Sequence, residues 1–470
     1  MLIKPKIGIL FFTSGWFREV GLQGSDQPLS SEVEKIADEI VKRFSAFFEP
    51  VYDGIIYSEK DSFDFSEKIK KAGVDGLIIS TLMWCEDLII LRALKNLSGL
   101  PIILCNFIPS STLPEFVYFD EMLKGSGCVG TLQTSGFLKR GGYDYTNVTG
   151  YYKDDSVYNE INEHCLSFAV SRKLKKTKCG ILPFRCDHMN VTYVDEFEIK
   201  KLYGIEMKYL ELSRFRDEAS KISENEINNF RKILEKKGVI VEVDERNLNE
   251  GARYALAIEK ILKENNIEIF AMNDIISEMH DCFGLRPSLV NPVLSENGVV
   301  VAMEADVAAA IAMYIMQLYT GEQPFYTEVF NADLQNNSLL MGHAGYHDIG
   351  NHDEKYPVRI IQDFEYKNSD RFTGACTFFK FKPGAVTAVN CIYKNNRLNM
   401  TGFEGYSLEG PPKMEGNCHL FCRPDISVKE FFENAVNLGV SQHWIVIPGK
   451  HLNKIKKLCR WLGIEYNSLF

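Results

Sequence analysis

The sequence predicts an α/β protein with two doubly wound, Rossmann-like domains followed by a C-terminal antiparallel β domain. Three observations predict it. Apolar runs of strand length alternate with amphipathic stretches of helix length over the first 318 residues, a fresh alternation starts after the basic run Lys173–Lys178, and from about Tyr356 the pattern turns to short β-prone runs separated by turn residues. With 470 residues the chain has room for two or three domains. The expected boundaries are 1–174 for an N-terminal α/β domain, 175–355 for a central α/β domain and 356–470 for a C-terminal β-rich domain.

In chain order, Ile7–Phe12 is an apolar strand, Ser30–Phe48 a long amphipathic helix, Gly76–Ser80 a buried strand, Leu88–Leu97 a helix and Pro101–Cys105 a further strand. The glycine-rich segment Gly125–Gly130 reads as turns. A helix from Asp154 to Leu174 leads to the second alternation. There Cys179–Pro183 is a strand, Val194–Leu202 a helix, Met207–Glu211 a strand, and Glu224–Lys237 and Glu250–Asn265 are helices. Ile269–Met272 and Val299–Ala302 are strands, and Ala305–Leu318 is a helix. Beyond Tyr356 the β-prone runs are Ala375–Phe381, Ala385–Tyr393 and Asn417–Cys422; a helix Val428–Leu438, a strand His443–Ile447 and a helix Leu452–Leu462 close the chain.

The composition is 45% hydrophobic, 25% charged and 12% aromatic, which suits a large packed core and leaves no long stretch in need of disorder. A net charge of −10 offers nothing to a polyanion over the whole surface, so a small molecule is a better expected partner than nucleic acid. Twelve cysteines without any C-x-x-C pair read as buried thiols in a reducing compartment, hence a cytoplasmic protein. No membrane partner is expected, because no stretch reaches the roughly eighteen uncharged apolar residues of a membrane span. Lys4 and Lys6 precede only a six-residue apolar run without a small-residue cleavage site, so the first residues are a strand rather than a leader.

The chemistry is narrowed by what is missing. There is no G-x-G-x-x-G after the first strand, no G-x-x-x-x-G-K-[ST] and no G-x-S-x-G, so nucleotide binding and acyl transfer have no positive support. Acids and histidines remain. Glu304 and Asp306 directly follow an apolar strand, at the mouth of a helix whose positions Val307, Ala310, Ile311, Tyr314, Ile315 and Leu318 keep the helical period. Carboxyl ends of parallel strands are where open α/β sheets hold ligands. Acids in a first helical turn also simply favour the helix dipole, a role that suits Asp306 better than Glu304. Glu328 and the segment Gly342–Asp348 add a knot of acid, glycine and histidine, and three of the nine histidines, His343, His347 and His352, fall in this region. Such a set suits a divalent cation with mixed nitrogen and oxygen ligands, while a solvated loop fits the same spacing. His443, at the entrance to an apolar strand, fits a structural histidine when taken alone; His419 and His451 are background, and His188 is a weak candidate.

Together these pieces resemble the L-fucose/L-arabinose isomerase superfamily. The resemblance runs through Gly298-Val299-Val300-Val301-Ala302-Met303-Glu304-Ala305-Asp306-Val307, Leu318-Tyr319-Thr320-Gly321, Phe325-Tyr326-Thr327-Glu328, Gly342-His343-Ala344-Gly345 and Gln442-His443-Trp444. It extends to Gly130-Thr131-Leu132-Gln133, Leu138-Lys139-Arg140, Val194-Asp195-Glu196 and Leu202-Tyr203-Gly204-Ile205-Glu206, nearly the whole chain. It implies a divalent cation, manganese foremost with cobalt as the other candidate, held by Glu304, Glu328 and His443, with His343 added from the arabinose branch. It further implies sugar contact by Gln133, a homo-oligomer (trimer or hexamer) with active sites where subunits meet, and an aldose–ketose isomerisation through a cis-enediol with Glu304 and Glu328 as the catalytic pair.

Departures are informative. Many relatives carry two adjacent histidines where this chain has Gln442-His443, and the fucose branch has aspartate in place of Glu328. Gln442 therefore stands as a substrate contact, and Arg18 and Arg185 are candidates to meet an anionic sugar substituent, against the plainer reading of exposed arginines. Two alternatives stay open: an isomerase of a C6-modified anionic sugar such as a sulfonated hexose (sulfoquinovose), and a non-catalytic sugar-binding or regulatory protein on the same scaffold.

Overall fold

The computed structural model describes residues 3–469 except 23, 25, 290, 292, 293, 295, 367 and 369–373. Two units divide the chain, Ile3–Arg172 and Lys173–Phe470. In the first, apolar runs form a wholly parallel sheet in the order Glu49–Val51, Lys6–Phe12, Gly76–Thr81, Ile102–Ile108, Tyr145–Tyr151, with Ile55–Ile56 beside the end of Lys6–Phe12. Every residue of Gly76–Thr81 is buried, as an unbroken apolar run in a central parallel strand requires. The helix expected to reach Phe48 ends at Phe44. Pro50 disfavours helical backbone at Glu49, and Glu49–Val51 becomes a strand.

Gly125–Gly130 is the clearest departure from the sequence reading, because most of it belongs to a helix, Gly127–Arg140. The glycines there serve close approach rather than turning. A Cβ at Gly127 would stand 2.7 Å from the Thr81 carbonyl oxygen and 2.8 Å from that of Leu82, and one at Gly130 would stand 2.7 Å from Thr81 Oγ1.

The second unit contains a parallel sheet ordered Val300–Met303, Ile269–Met272, Lys178–Leu182, Glu206–Tyr209. The chain then builds a second sheet ordered Gly384–Lys394, Trp444–Pro448, Phe325–Asp333, Ser338–His343, Cys418–Pro424, Arg397–Ser407, Glu465–Ser468. Gly384–Lys394 also pairs with Arg397–Ser407 along its whole length, so six antiparallel strands close on themselves as a barrel. The expected antiparallel domain is therefore corrected in two ways. Its sheet is mixed, because Glu465–Ser468 runs parallel to Arg397–Ser407, and it takes up strands from Phe325 onward, upstream of residue 356. Glu328 and Asn331 interrupt the apolar alternation of Phe325–Asp333, which hides it as a strand.

Helix Val307–Thr320 contacts the parallel strands Ile269–Met272 and Val300–Met303 as well as the barrel strands Gly384–Lys394 and Trp444–Pro448. All its residues from Val307 to Tyr319 are buried. The single apolar face read from the sequence is in fact part of a helix buried on every side, Gln317 included, as befits a helix enclosed between two sheets. Among the described residues no helix is long and apolar enough to cross a membrane.

Gly127→Ala should lower stability by about 1–3 kcal/mol, since the backbone carbonyls it meets cannot swing away. Gly136→Ala, in open space on the same helix, should be neutral or stabilise by about 0.5–1 kcal/mol; urea denaturation of the two variants reads the difference.

Candidate metal centre

Four candidate ligands read from the sequence come together inside the second unit. One ligating atom from each of Glu304, Glu328, His343 and His443 lies within 4.8 Å of the others. Barrel register accounts for three of them. Glu328 pairs with Gly342, which sets His343 beside it, and Thr327 pairs with Trp444, which sets His443 beside it. Glu304 arrives from the parallel sheet, one residue past the end of Val300–Met303. Its backbone and that of Ala305 are left-handed, with φ of +59° and +52°. For residues with a Cβ this costs about 1–2 kcal/mol each, and strain of this kind is characteristic of functional sites.

Asp306 joins the two sheets. Its Oδ1 accepts from the Ala309 N–H at 2.9 Å and caps helix Val307–Thr320, while its Oδ2 accepts from His443 Nδ1 at 2.7 Å. An ionised carboxylate only accepts, so both ring nitrogens carry protons: Nδ1 toward Asp306, and Nε2 donating to Glu304 Oε2 at 2.9 Å and lying 3.7 Å from Glu328 Oε1. A carboxylate behind a histidine is the usual support for a metal-binding imidazole. Asn390 holds the approach to this residue, donating through Nδ2 to the Ser441 carbonyl at 2.9 Å and to the His443 carbonyl at 2.6 Å.

His343 is oriented by a different device. Its Nδ1 donates to the Ala344 carbonyl at 2.5 Å, so Nε2 keeps a lone pair; that atom is buried, has no hydrogen-bond partner and lies 3.9 Å from Glu304 Oε1. The Tyr326 ring packs 4.8 Å from each of the two imidazoles, and its hydroxyl donates to the Met303 carbonyl at 3.3 Å.

The electrostatics favour a cation. Burial alone would push the Glu304 carboxyl up, but the hydrogen bond from His443 and the positive charges of His443 and Arg286 bring it below its ordinary value. Burial and then the charge of Glu304 push Glu328 up. His443 loses hydration, yet its bonds to Asp306 and Glu304 raise its pKa to about 10, whereas burial lowers His343 to about 4. Three carboxylates thus face one histidine that holds a proton tightly and another that offers a bare lone pair. Two carboxylate and two imidazole side chains, with His343 Nε2 unpartnered and His443 Nε2 holding a proton that a cation would displace, could hold a divalent metal ion.

The remaining predicted residues lie elsewhere or have other partners. Gln442 is half-buried, and its Nε2 lies 3.0 Å from Met189 Sδ. Arg185 is exposed, pairs with Asp187 at 3.1 Å and covers the Tyr193 ring. In the first unit Arg18 is exposed over the Tyr57 ring, 3.8 Å from its centroid, with no ion pair among the described residues. Gln133 accepts from Trp84 Nε1 at 2.9 Å and donates to Asp87 Oδ1 at 2.5 Å. His347 supports the centre from behind, donating through Nε2 to the His343 carbonyl at 2.8 Å. Sequence reasoning missed Asp274 and Arg286, both buried. Asp274 follows the strand Ile269–Met272 closely, just as Glu304 follows its own strand, so the same strand-end rule would have found it. Nothing in the sequence marks Arg286 as buried.

No family model matches the chain. It is similar to the sulfoquinovose isomerases of Priestia megaterium and Priestia aryabhattai, 18% identical over 414 residues, which is 87% of this chain and 89% of either relative. The sulfoquinovose isomerase of Clostridium sp. (strain MSTE9) is 20% identical over 360 residues, 75% of this chain and 78% of that one. A periplasmic sugar-binding protein from Legionella pneumophila aligns with 67% of this chain and 95% of its own at 11% identity and a TM-score of 0.16, too slight a likeness to bear on the fold.

Titration with Mn2+ should separate the two imidazoles. His443→Ala is expected to lose binding, whereas His343→Ala is rescued by excess metal because water can take its place. Asp306→Asn should weaken binding about 10–100-fold through His443. Equal and unchanged affinities would remove both histidines from the ligand set, and a deeper loss at His343 would reverse their order.

Proposed function

We propose that the protein is a divalent-metal-dependent aldose–ketose isomerase acting on a free sugar through a cis-enediol, with manganese as the favoured ion. The observation that carries this reading is the convergence of Glu304, Glu328, His343 and His443 from positions far apart in the chain. The name shared by its relatives favours a C6-sulfonated hexose, sulfoquinovose, as the substrate.

A cation held by these four residues would supply electrostatic stabilisation to the negative charge that develops on the sugar oxygens as the carbon acid is deprotonated. Glu304 and Glu328 divide the proton work. One carboxylate removes the proton from the carbon next to the carbonyl, and the other manages the hydroxyl protons, each contributing about 10²–10⁴ in rate. His443, fixed by Asp306, keeps Glu304 in place, and Tyr326 closes the apolar side of the site. Gln442, adjacent to His443, is the proposed hydroxyl contact. Of the two arginines proposed for an anionic substituent, Arg185 is already paired with Asp187, so Arg18 is the better placed to accept a new partner.

We further propose a homo-oligomer in which Gln133 and Arg18 serve a neighbouring copy. Leu113, Phe116, Tyr118, Phe119 and Met122 are exposed in the first unit, and Leu132 is exposed beside Gln133; so much apolar surface is characteristic of an interface.

Glu304→Gln and Glu328→Gln should each lower turnover at least 100-fold with an unchanged circular dichroism spectrum. The assay is an aldose panel that includes sulfoquinovose, with chelated enzyme restored by Mn2+ or Co2+. Near-normal turnover in either variant would remove the mechanism, and sugar binding without turnover in the wild type would make this a binding protein. Sedimentation velocity should show an assembly; a fully active monomer would overturn the oligomeric reading.

A further inference from the structure

The left-handed turn at Glu304 and Ala305 needs something to hold it, because neither residue is glycine. Two hydrogen bonds do so. The Ala305 N–H donates to the Met272 carbonyl at 3.0 Å, and the Glu304 N–H donates to Asp274 Oδ1 at 2.9 Å. The first partner is backbone of the neighbouring strand. The second is a side chain and must itself be fixed.

Asp274 is fully buried, and its other oxygen, Oδ2, accepts from Arg286 Nε at 2.7 Å and Nη2 at 2.6 Å. Arg286 is only 1% exposed. Its remaining nitrogen, Nη1, reaches Glu365 and lies 4.0 Å from Asp363 Oδ2, which accepts from Ser288 Oγ at 2.9 Å. Among the described residues Arg286 makes no hydrogen bond to Glu304, Glu328, His343 or His443. Two donors on a rigid plane occupy one carboxylate oxygen and leave the other aimed at the Glu304 N–H. A lysine would balance the charge but offers a single point that lets the carboxylate rotate.

We infer that Arg286 is a positioning residue for the metal centre: by orienting Asp274 it fixes the left-handed turn that directs the Glu304 carboxylate toward His343 and His443. This rests on the metal-dependent reading above, and it adds a requirement that the reading does not contain.

The test is a double-mutant cycle between Arg286→Lys and Ala305→Gly, read by electron paramagnetic resonance of free Mn2+ on the full chain, with folding followed by circular dichroism. Arg286→Lys should fold and bind Mn2+ about 10–100-fold more weakly, and Ala305→Gly alone should bind as the wild type does. The double variant should recover most of the loss, since glycine takes the left-handed turn without help. A merely structural arginine predicts otherwise: Arg286→Lys would melt earlier with unchanged affinity, or its weakness would persist in the double variant, and either result overturns the inference. If Arg286→Lys does not fold, Asp274→Asn replaces it in the same cycle. Wild-type protein without Mn2+ affinity would defeat the metal-dependent reading and this inference together, while wild-type affinity in a well-folded Arg286→Lys defeats the inference alone.

Discussion

The 2.7 Å bond between His443 Nδ1 and Asp306 Oδ2 ties a closed barrel to a parallel sheet. Asp306 is spoken for at both oxygens, one by the first turn of helix Val307–Thr320 and one by the imidazole. A shift of the helix would therefore move the imidazole, and a slip of the barrel strands would move Glu328, His343 and His443 as a set. Because side chains alternate along a strand, a slip of one residue would turn Glu328 to the other face. Closure of the barrel along the paired strands Gly384–Lys394 and Arg397–Ser407 makes such a slip costly over the whole circuit.

The centre gathers several buried charges. Burying an ion costs several kcal/mol unless a partner and hydrogen bonds compensate, yet Glu304, Asp306, Asp274 and Arg286 all lie inside. Compensation is local and paired: Asp274 with Arg286, Asp306 with His443. Glu328 is the exception, with a side chain still 26% exposed and, among the described residues, no cation beside it other than His443. It is the acid with the most room to change its state, which suits a group that handles protons.

Much of this was legible in the sequence, for identifiable reasons. Ile269–Met272, Val428–Leu438 and Leu452–Leu462 have the expected bounds because unbroken apolar runs, a capping serine and a following glycine leave little choice. Glu304 was visible because it directly follows a strand of four buried residues. The second sheet was legible only in part, since Phe325–Asp333 and Ser338–His343 carry the polar residues that the centre needs and so lose the alternation of ordinary strands. The Gly127–Arg140 helix was misread for a related reason: a glycine chosen for contact looks, in one dimension, like a glycine chosen for a bend. Arg286 was not legible at all, because an arginine buried by three acids is defined by neighbours up to 79 positions away.

Helix Val307–Thr320 has no side fit for water. As the chain leaves the ribosome, this rod appears before every strand of the barrel that covers part of it, including Trp444–Pro448, more than a hundred residues later. Until those strands are made, one flank of the helix has only the earlier parallel sheet to lie on, and its apolar surface is open to any other sticky chain nearby. Residues 173–469 therefore cannot mature piece by piece in the order of synthesis. The cluster of Glu304, Glu328, His343 and His443 is complete only once His443 has been made, so a chain broken before that residue lacks one member of the cluster and leaves a flank of the helix uncovered.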